Sequence, residues 1–321
     1  MPSLILNQQY SKRQSGFTLL ELVLVMLIIG LVASTPLVFI DNQDNQLRYD
    51  ETLDKMELLR KSILMQSSHR NQPVLSGFII DNGVLPPASA SLSQDPTELQ
   101  PLISKDGSWE VSGSDQWEDL AMLDPYVNFG GAPTQISAYP QLKGYRANYL
   151  SAGLDSNREF RDGWGIGFEV SNASDQYQFN YKGDDGDHPT SYNVVVSGAI
   201  ESTDWQVPLS QIDIQVQNNS DTDSHKLALV VFKNAAVSDE EDRWVTYHFD
   251  AAASTATNSL SFVTNEWHEN GASISDASTK QIPVGQHAVF VMDSAGTVVE
   301  KYDRLLVIPN ATQPVLQFEV N

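Results

Sequence analysis

The chain has 321 residues, and 41 Asp and Glu against 19 Lys and Arg give a formal charge of -22 at pH 7. That balance excludes a general nucleic-acid binder, because neutralising phosphates needs a basic face. With 41% hydrophobic and 9% aromatic residues the composition is that of a folded chain, long enough for two ordinary domains. The absence of cysteine excludes disulfide frameworks, Cys-zinc sites, iron-sulfur clusters and thiol nucleophiles.

A short polar stretch carrying Lys12 and Arg13 gives way at Gly16 to an apolar run, and the two charges mark its cytoplasmic side. From Phe17 to Ile40 the run FTLLELVLVMLIIGLVASTPLVFI holds 24 residues and one ionisable side chain, Glu21. At about 1.5 Å per residue it is long enough to cross a bilayer core of about 30 Å. It exceeds the apolar region of a secretory signal, roughly 7 to 15 residues, so removal at Val32-Ala33-Ser34 is the weaker alternative. A carboxylate near the end of such a helix is costly unless it stays at the interface or meets a cation.

Gly16-Phe17-Thr18-Leu19-Leu20-Glu21 resembles the processing site of type IV prepilins and type II secretion pseudopilins. The pattern is a basic leader ending in Gly, a hydrophobic residue, Glu at the fifth mature position and an apolar helix, and every element is present. The resemblance implies a leader at 1–16, cleavage by a prepilin peptidase between Gly16 and Phe17, and N-methylation of the new Phe17 amine. It also implies a place in the bacterial inner membrane with a periplasmic head before assembly, an inner-membrane assembly platform, and other pilin or pseudopilin subunits as partners. In a bundle of such subunits the Glu21 carboxylate can meet the N-terminal ammonium of a neighbour, which neutralises two costly charges only in the correct axial register.

Helical periodicity continues through Leu47, Leu53, Met56, Leu59 and Ile63, and Glu51 with Lys55 and Glu57 with Lys61 stand in the favourable order four residues apart. The expectation is one helix over 17–66, about 75 Å long at 1.5 Å per residue, with a membrane-spanning first half at 17–40. Gly30 and Pro36 interrupt that half, and a kink or local melting is expected at Pro36.

Residues 67–189 are rich in Pro, Gly and Ser, with turn signals at Asn82-Gly83, Pro86-Pro87, Gly130-Gly131 and Asp162-Gly163. Phe168 and Val170, then Tyr177, Phe179 and Tyr181, alternate with polar residues and predict two half-buried antiparallel strands. This stretch reads as a pilin-like head, a small antiparallel sheet packed on the long helix. Asp162-Gly163-Trp164-Gly165 is similar to the turn before the paired strands of major pseudopilins. That resemblance places an acidic calcium loop at Gly183-Asp184-Asp185-Gly186-Asp187, with Asp184, Asp185 and Asp187 as candidate ligands. Calcium favours six to eight oxygens on a flexible loop, although a solvated acidic turn gives the same pattern.

Residues 190–321 change to short strands: Tyr192 to Val196, Ile212 to Val216, Leu227 to Phe232, Trp244 to Phe249, Leu260 to Val263, Ala288 to Met292, Leu305 to Ile308 and Val315 to Val320. Their number and spacing predict an immunoglobulin-like β-sandwich with Trp244 as a core anchor. The fold class is therefore α+β: a long N-terminal helix on a pilin-like head, then a C-terminal sandwich. Asp239-Glu240-Glu241-Asp242 reads as a charged hairpin end. The six histidines lie at no zinc-helix spacing, no G-x-S-x-G elbow occurs, and Gly163 to Gly167 lacks dinucleotide-loop spacing. The reading is a non-catalytic minor pilin or pseudopilin, because a bulky head at every shaft position would collide with its copies. A type II secretion pseudopilin and a tip adhesin binding through 190–321 are the alternatives, and a membrane-anchored hydrolase is least favoured.

Overall fold

The computed structural model describes residues 18–64, 66–68, 74–93, 96–104, 117–146, 148–173, 175–180, 197–219, 223–237, 239–251, 267–309, 312–313 and 315–320. Side chains at 33–42, 66–68, 74–75, 96–97, 197 and 250–251 also lie outside the description. The chain divides into two units, Met1–Tyr49 and Asp50–Asn321. The fold is α+β, one long N-terminal helix followed by mostly small antiparallel sheets and a sheet-rich C-terminal region.

Helix α1 runs over Leu19–Leu64 without a break at Gly30 or Pro36. The local melting expected at Pro36 is therefore not seen. A proline removes one bond of the helical ladder, and the turns on either side of it stay helical here. Beyond Asp50, Thr52, Met56, Leu59 and Ile63 are buried, which is the three-to-four spacing of one helix face. Leu53, expected on that face, is 37% exposed, and Leu47 in the first unit is 68% exposed. Hydropathy alone placed them on the stripe, whereas the buried stripe passes through Thr52, whose hydroxyl accepts a hydrogen bond from Gly163 N at 2.9 Å. The ion pairs Glu51–Lys55 and Glu57–Lys61 form as predicted.

The predicted strand pair is present as Glu169–Ala173 and Gln176–Asn180, antiparallel, with Val170, Tyr177 and Phe179 buried, while Tyr181 and the strands expected over 192–196 and 260–263 lie outside the described residues. A third strand, Ser197–Ile200, pairs with the second. The turn before them is built by Asp162, whose Oδ1 accepts from the backbone N–H of Trp164 at 2.9 Å and Ile166 at 2.8 Å.

The largest sheet has six strands in the order Ala272–Ser273, His268–Glu269, Trp244–Ala251, His225–Phe232, Gly285–Asp293 and Val299–Val307, all antiparallel to their neighbours. His225–Phe232 and Gly285–Asp293 sit at its centre. Their continuous apolar runs, LALVVF and AVFVM, fit strands covered on both faces. Ala228, Val230, Phe232, Ala288, Phe290 and Met292 enter one core, while Leu227, Leu229, Val231, Val289 and Val291 enter another. The second core also takes Ile214, Val216, Phe318 and Val320 from a parallel pair, Ile214–Asn218 with Leu316–Val320. Asp239 to Asp242 lies at the end of the hairpin formed by Trp244–Ala251 and His225–Phe232, as expected.

The first core draws on both the 67–189 and the 190–321 stretches. Phe78, Trp117, Tyr145 and Tyr149 share it with Phe232, Trp244 and Phe290, and Met56, Leu59 and Ile63 of α1 close it. Trp244 meets Phe232 edge to face at 4.9 Å, while the opposite core has its own tryptophan, Trp267, against Phe249 at 4.5 Å. A short helix, α2 (Phe78–Asn82), carries much of the junction. It ends on Gly83 at φ +77°, and a Cβ there would lie 2.6 Å from the backbone oxygen of Phe232, so Asn82-Gly83 is a turn that also lets two backbones touch.

Candidate functional site

The exposed chemistry is concentrated at the start of α1. Every large apolar side chain between Leu19 and Val32 is exposed, from 43% at Val25 to 81% at Leu19. These residues occupy consecutive positions, so the helix is apolar on all sides. A helix of that kind is stable only when something apolar surrounds it, since burying each such side chain contributes about 1.5–3 kcal/mol. Among the described residues no helix is long and apolar enough to cross a membrane. Of the run 17–40, side chains are described at 18–32 only.

Glu21 has a local partner that its hydropathy context did not reveal. Thr18 N donates to Glu21 Oε2 at 3.0 Å, the Thr18 hydroxyl donates to the same oxygen at 3.2 Å, and Glu21 N donates to Thr18 Oγ1 at 3.3 Å. This is a reciprocal capping box, Thr at the N-cap and Glu three residues on, and the negative carboxylate also suits the positive end of the helix dipole. The signal was legible as Thr18-x-x-Glu21. Both contacts to the carboxylate use Oε2, which leaves Oε1 available to a cation brought from outside the helix. Gly16 and Phe17 lie outside the described residues, as do Asp184, Asp185 and Asp187. No group of three or more potential metal ligands occurs among the described residues.

A second concentration of charge lies inside the unit Asp50–Asn321, under a cavity of about 380 Å³. Asp81 of α2 and Lys143 of the strand Gln141–Lys143 are both buried there, and Arg146 faces Asp81 with Nε 3.4 Å from Oδ2. Lys143 Nζ donates to Ile80 O at 2.9 Å and stands 5.8 Å from the Phe232 ring centroid. Burial pushes the Asp81 carboxyl up to about 6 against the opposing pull of Arg146 and Lys143, and burial lowers Lys143 to about 8. Nothing in the sequence announced this group, because Asp81 lies far along the chain from Lys143 and Arg146 and each is bordered by ordinary strand or turn residues.

Among the described residues His225, His248 and His287 are buried. His225 Nε2 meets Glu300 Oε2 at 2.8 Å, and His248 stacks on His268 at 5.0 Å. His287 Nε2 lies 2.7 Å from Pro283 O, which fixes that nitrogen as the donor. Burial and then the nearby Lys143 charge lower His287 to about 3.

These buried groups set opposing pH dependences. Asp81 is raised from 3.8 to about 6, so its contribution is present at low pH and is lost as pH rises through about 6. His287 is lowered from 6.5 to about 3, so its contribution is present above 6.5 and is lost as pH falls toward 3. Asp81→Asn removes the first and leaves the second. Relative to wild type, the variant is expected to gain about 3 kcal/mol of stability as pH rises from about 4 to about 6. Parallel thermal melts of the two proteins across that range check it, and a constant difference would show that Asp81 titrates as an ordinary surface acid.

Residues 11–35 match the model of the prokaryotic N-terminal methylation motif. No curated protein and no solved structure matches the chain. The match bears out the prepilin-type reading of the N-terminus and supports a type IV pilin-like or pseudopilin-type subunit, a family that is typically structural.

Proposed function

We propose that this chain is a non-catalytic minor pilin or pseudopilin of a type IV pilus or related filament. It enters the inner membrane through 17–40, is cut by a prepilin peptidase between Gly16 and Phe17, is methylated on the new amine, and is built into a fibre through α1. The observation that carries the reading is a helix apolar on every side and exposed, with one acid at its capped N-terminus. Such a helix is unfavourable in water and is satisfied first by lipid and then by the helices of neighbouring copies. Glu21, already held at the helix end, pairs there with the Phe17 ammonium of the next subunit.

The remainder we read as a pilin-like head extended by a C-terminal sandwich. The packing of one face of the six-stranded sheet against the pair Ile214–Asn218 and Leu316–Val320 supports the sandwich. A calcium role for Asp184, Asp185 and Asp187 is proposed with it, on the acidic, glycine-flanked sequence. Removing calcium with a chelator should then lower the melting temperature, and an unchanged melt counts against that site.

Mass spectrometry of the mature product from its native host tests the main proposal. The expected product starts at Phe17 and carries one added methyl group on its N-terminus. An intact Met1, or a start after Ser34, overturns it.

A further inference from the structure

The cavity over Asp81 and Lys143, within the unit Asp50–Asn321, has the makings of a ligand site. Lys143 is buried, yet its ammonium makes one hydrogen bond among the described residues, to Ile80 O at 2.9 Å. An ammonium has three donors, and leaving two of them unanswered away from water is costly. Asp81 Oδ2 is buried with no hydrogen-bond partner among the described residues, and its charge is opposed by Arg146 at 3.4 Å. Arg304, exposed on the strand Val299–Val307, lines the same cavity and donates from Nε to Tyr302 Oη at 2.7 Å. Three cations thus face one acid in a chain whose formal charge is -22. Around the opening stand Met122 and Leu142, cross-strand partners that are each 56% exposed. A charged floor under an exposed apolar rim is the pattern of a small-molecule pocket.

We propose that this cavity binds a small amphipathic carboxylate, its anionic group received by Lys143 and Arg304 and its apolar part lying against Met122 and Leu142. Arg146 neutralises Asp81, so the acid does not repel the ligand. The carboxylate supplies the acceptors that Lys143 lacks, and the bound group is held by charge-assisted hydrogen bonds.

Thermal melts of the full chain in a nonionic detergent, titrated with sodium hexanoate, hexylamine and hexanol, provide the test. Hexanoate should raise the melting temperature saturably, because a ligand that binds only the folded state stabilises it. Hexylamine and hexanol should not. Lys143→Met should abolish the shift, but a buried substitution can also disturb folding. Arg304→Gln, at an exposed position, should therefore keep the wild-type melt without ligand and raise the half-saturating hexanoate concentration about tenfold. No saturable shift, an equal shift with hexylamine, or an Arg304→Gln titration that superimposes on wild type would each overturn the assignment.

Discussion

Glu21→Gln subunits are expected to fold with an intact N-terminal helix and to enter filaments about two orders of magnitude less well than wild type. The two halves of that expectation have different physical sources. In the free subunit Glu21 closes a capping box with Thr18, and Gln serves that purpose equally well, so the start of the helix should survive. In the proposed fibre the side chain must also carry a negative charge for the neighbouring ammonium. Removing one partner of a buried pair costs about 3–5 kcal/mol because the other charge is left without compensation. At about 1.4 kcal/mol per decade this is a loss of a hundredfold or more. Thr18→Ala makes the opposite cut, giving up about 1 kcal/mol of capping while keeping the charge, and should assemble with a modest deficit. Quantifying both variants in purified filaments decides the matter. Equal incorporation of Glu21→Gln and wild type would mean that Glu21 is a helix cap and nothing more.

Phe232→Ala should destabilise the unit Asp50–Asn321 by about 3–5 kcal/mol and lower one cooperative transition rather than one of two. Phe232 ends a central strand of the large sheet, packs edge to face on Trp244, and lies under the Lys143 ammonium. Its neighbourhood is stitched across the 67–189 and 190–321 stretches by backbone bonds from Ala235 N to Asn82 O and from Glu118 N to Ala235 O. Arg243 adds an ion pair to Glu118 at 2.8 Å. A core shared in this way transmits a cavity to everything it holds. Calorimetry that showed two transitions, with only the later-melting or only the earlier-melting one shifted, would mean that the two stretches unfold as separate domains.

The parts of this protein that were readable before its folding was known are those whose chemistry is local. Gly16 through Glu21 and the apolar run behind them are consecutive residues, and the motif match covers that same segment. The alternation around Val170 and Tyr177 and the apolar runs of the two central strands are likewise short-range patterns, and their strands stand close to where periodicity put them. Even the capping box was present in the sequence as the four-residue pattern Thr18-Leu19-Leu20-Glu21.

What only the tertiary structure decided depends on residues far apart in the chain. Periodicity on α1 could not tell that Thr52 would be buried against Gly163 while Leu53 turned outward, because the stripe is chosen by the surface it meets. Nor could composition show that Phe78, Tyr145 and Phe232 share one core, or that Asp81, Lys143, Arg146 and Arg304 gather around one cavity. Local sequence dictates which backbone shape a segment prefers. Which side chains meet, and so which charges lose water and shift their proton affinity, is settled only when those segments pack and exclude solvent together.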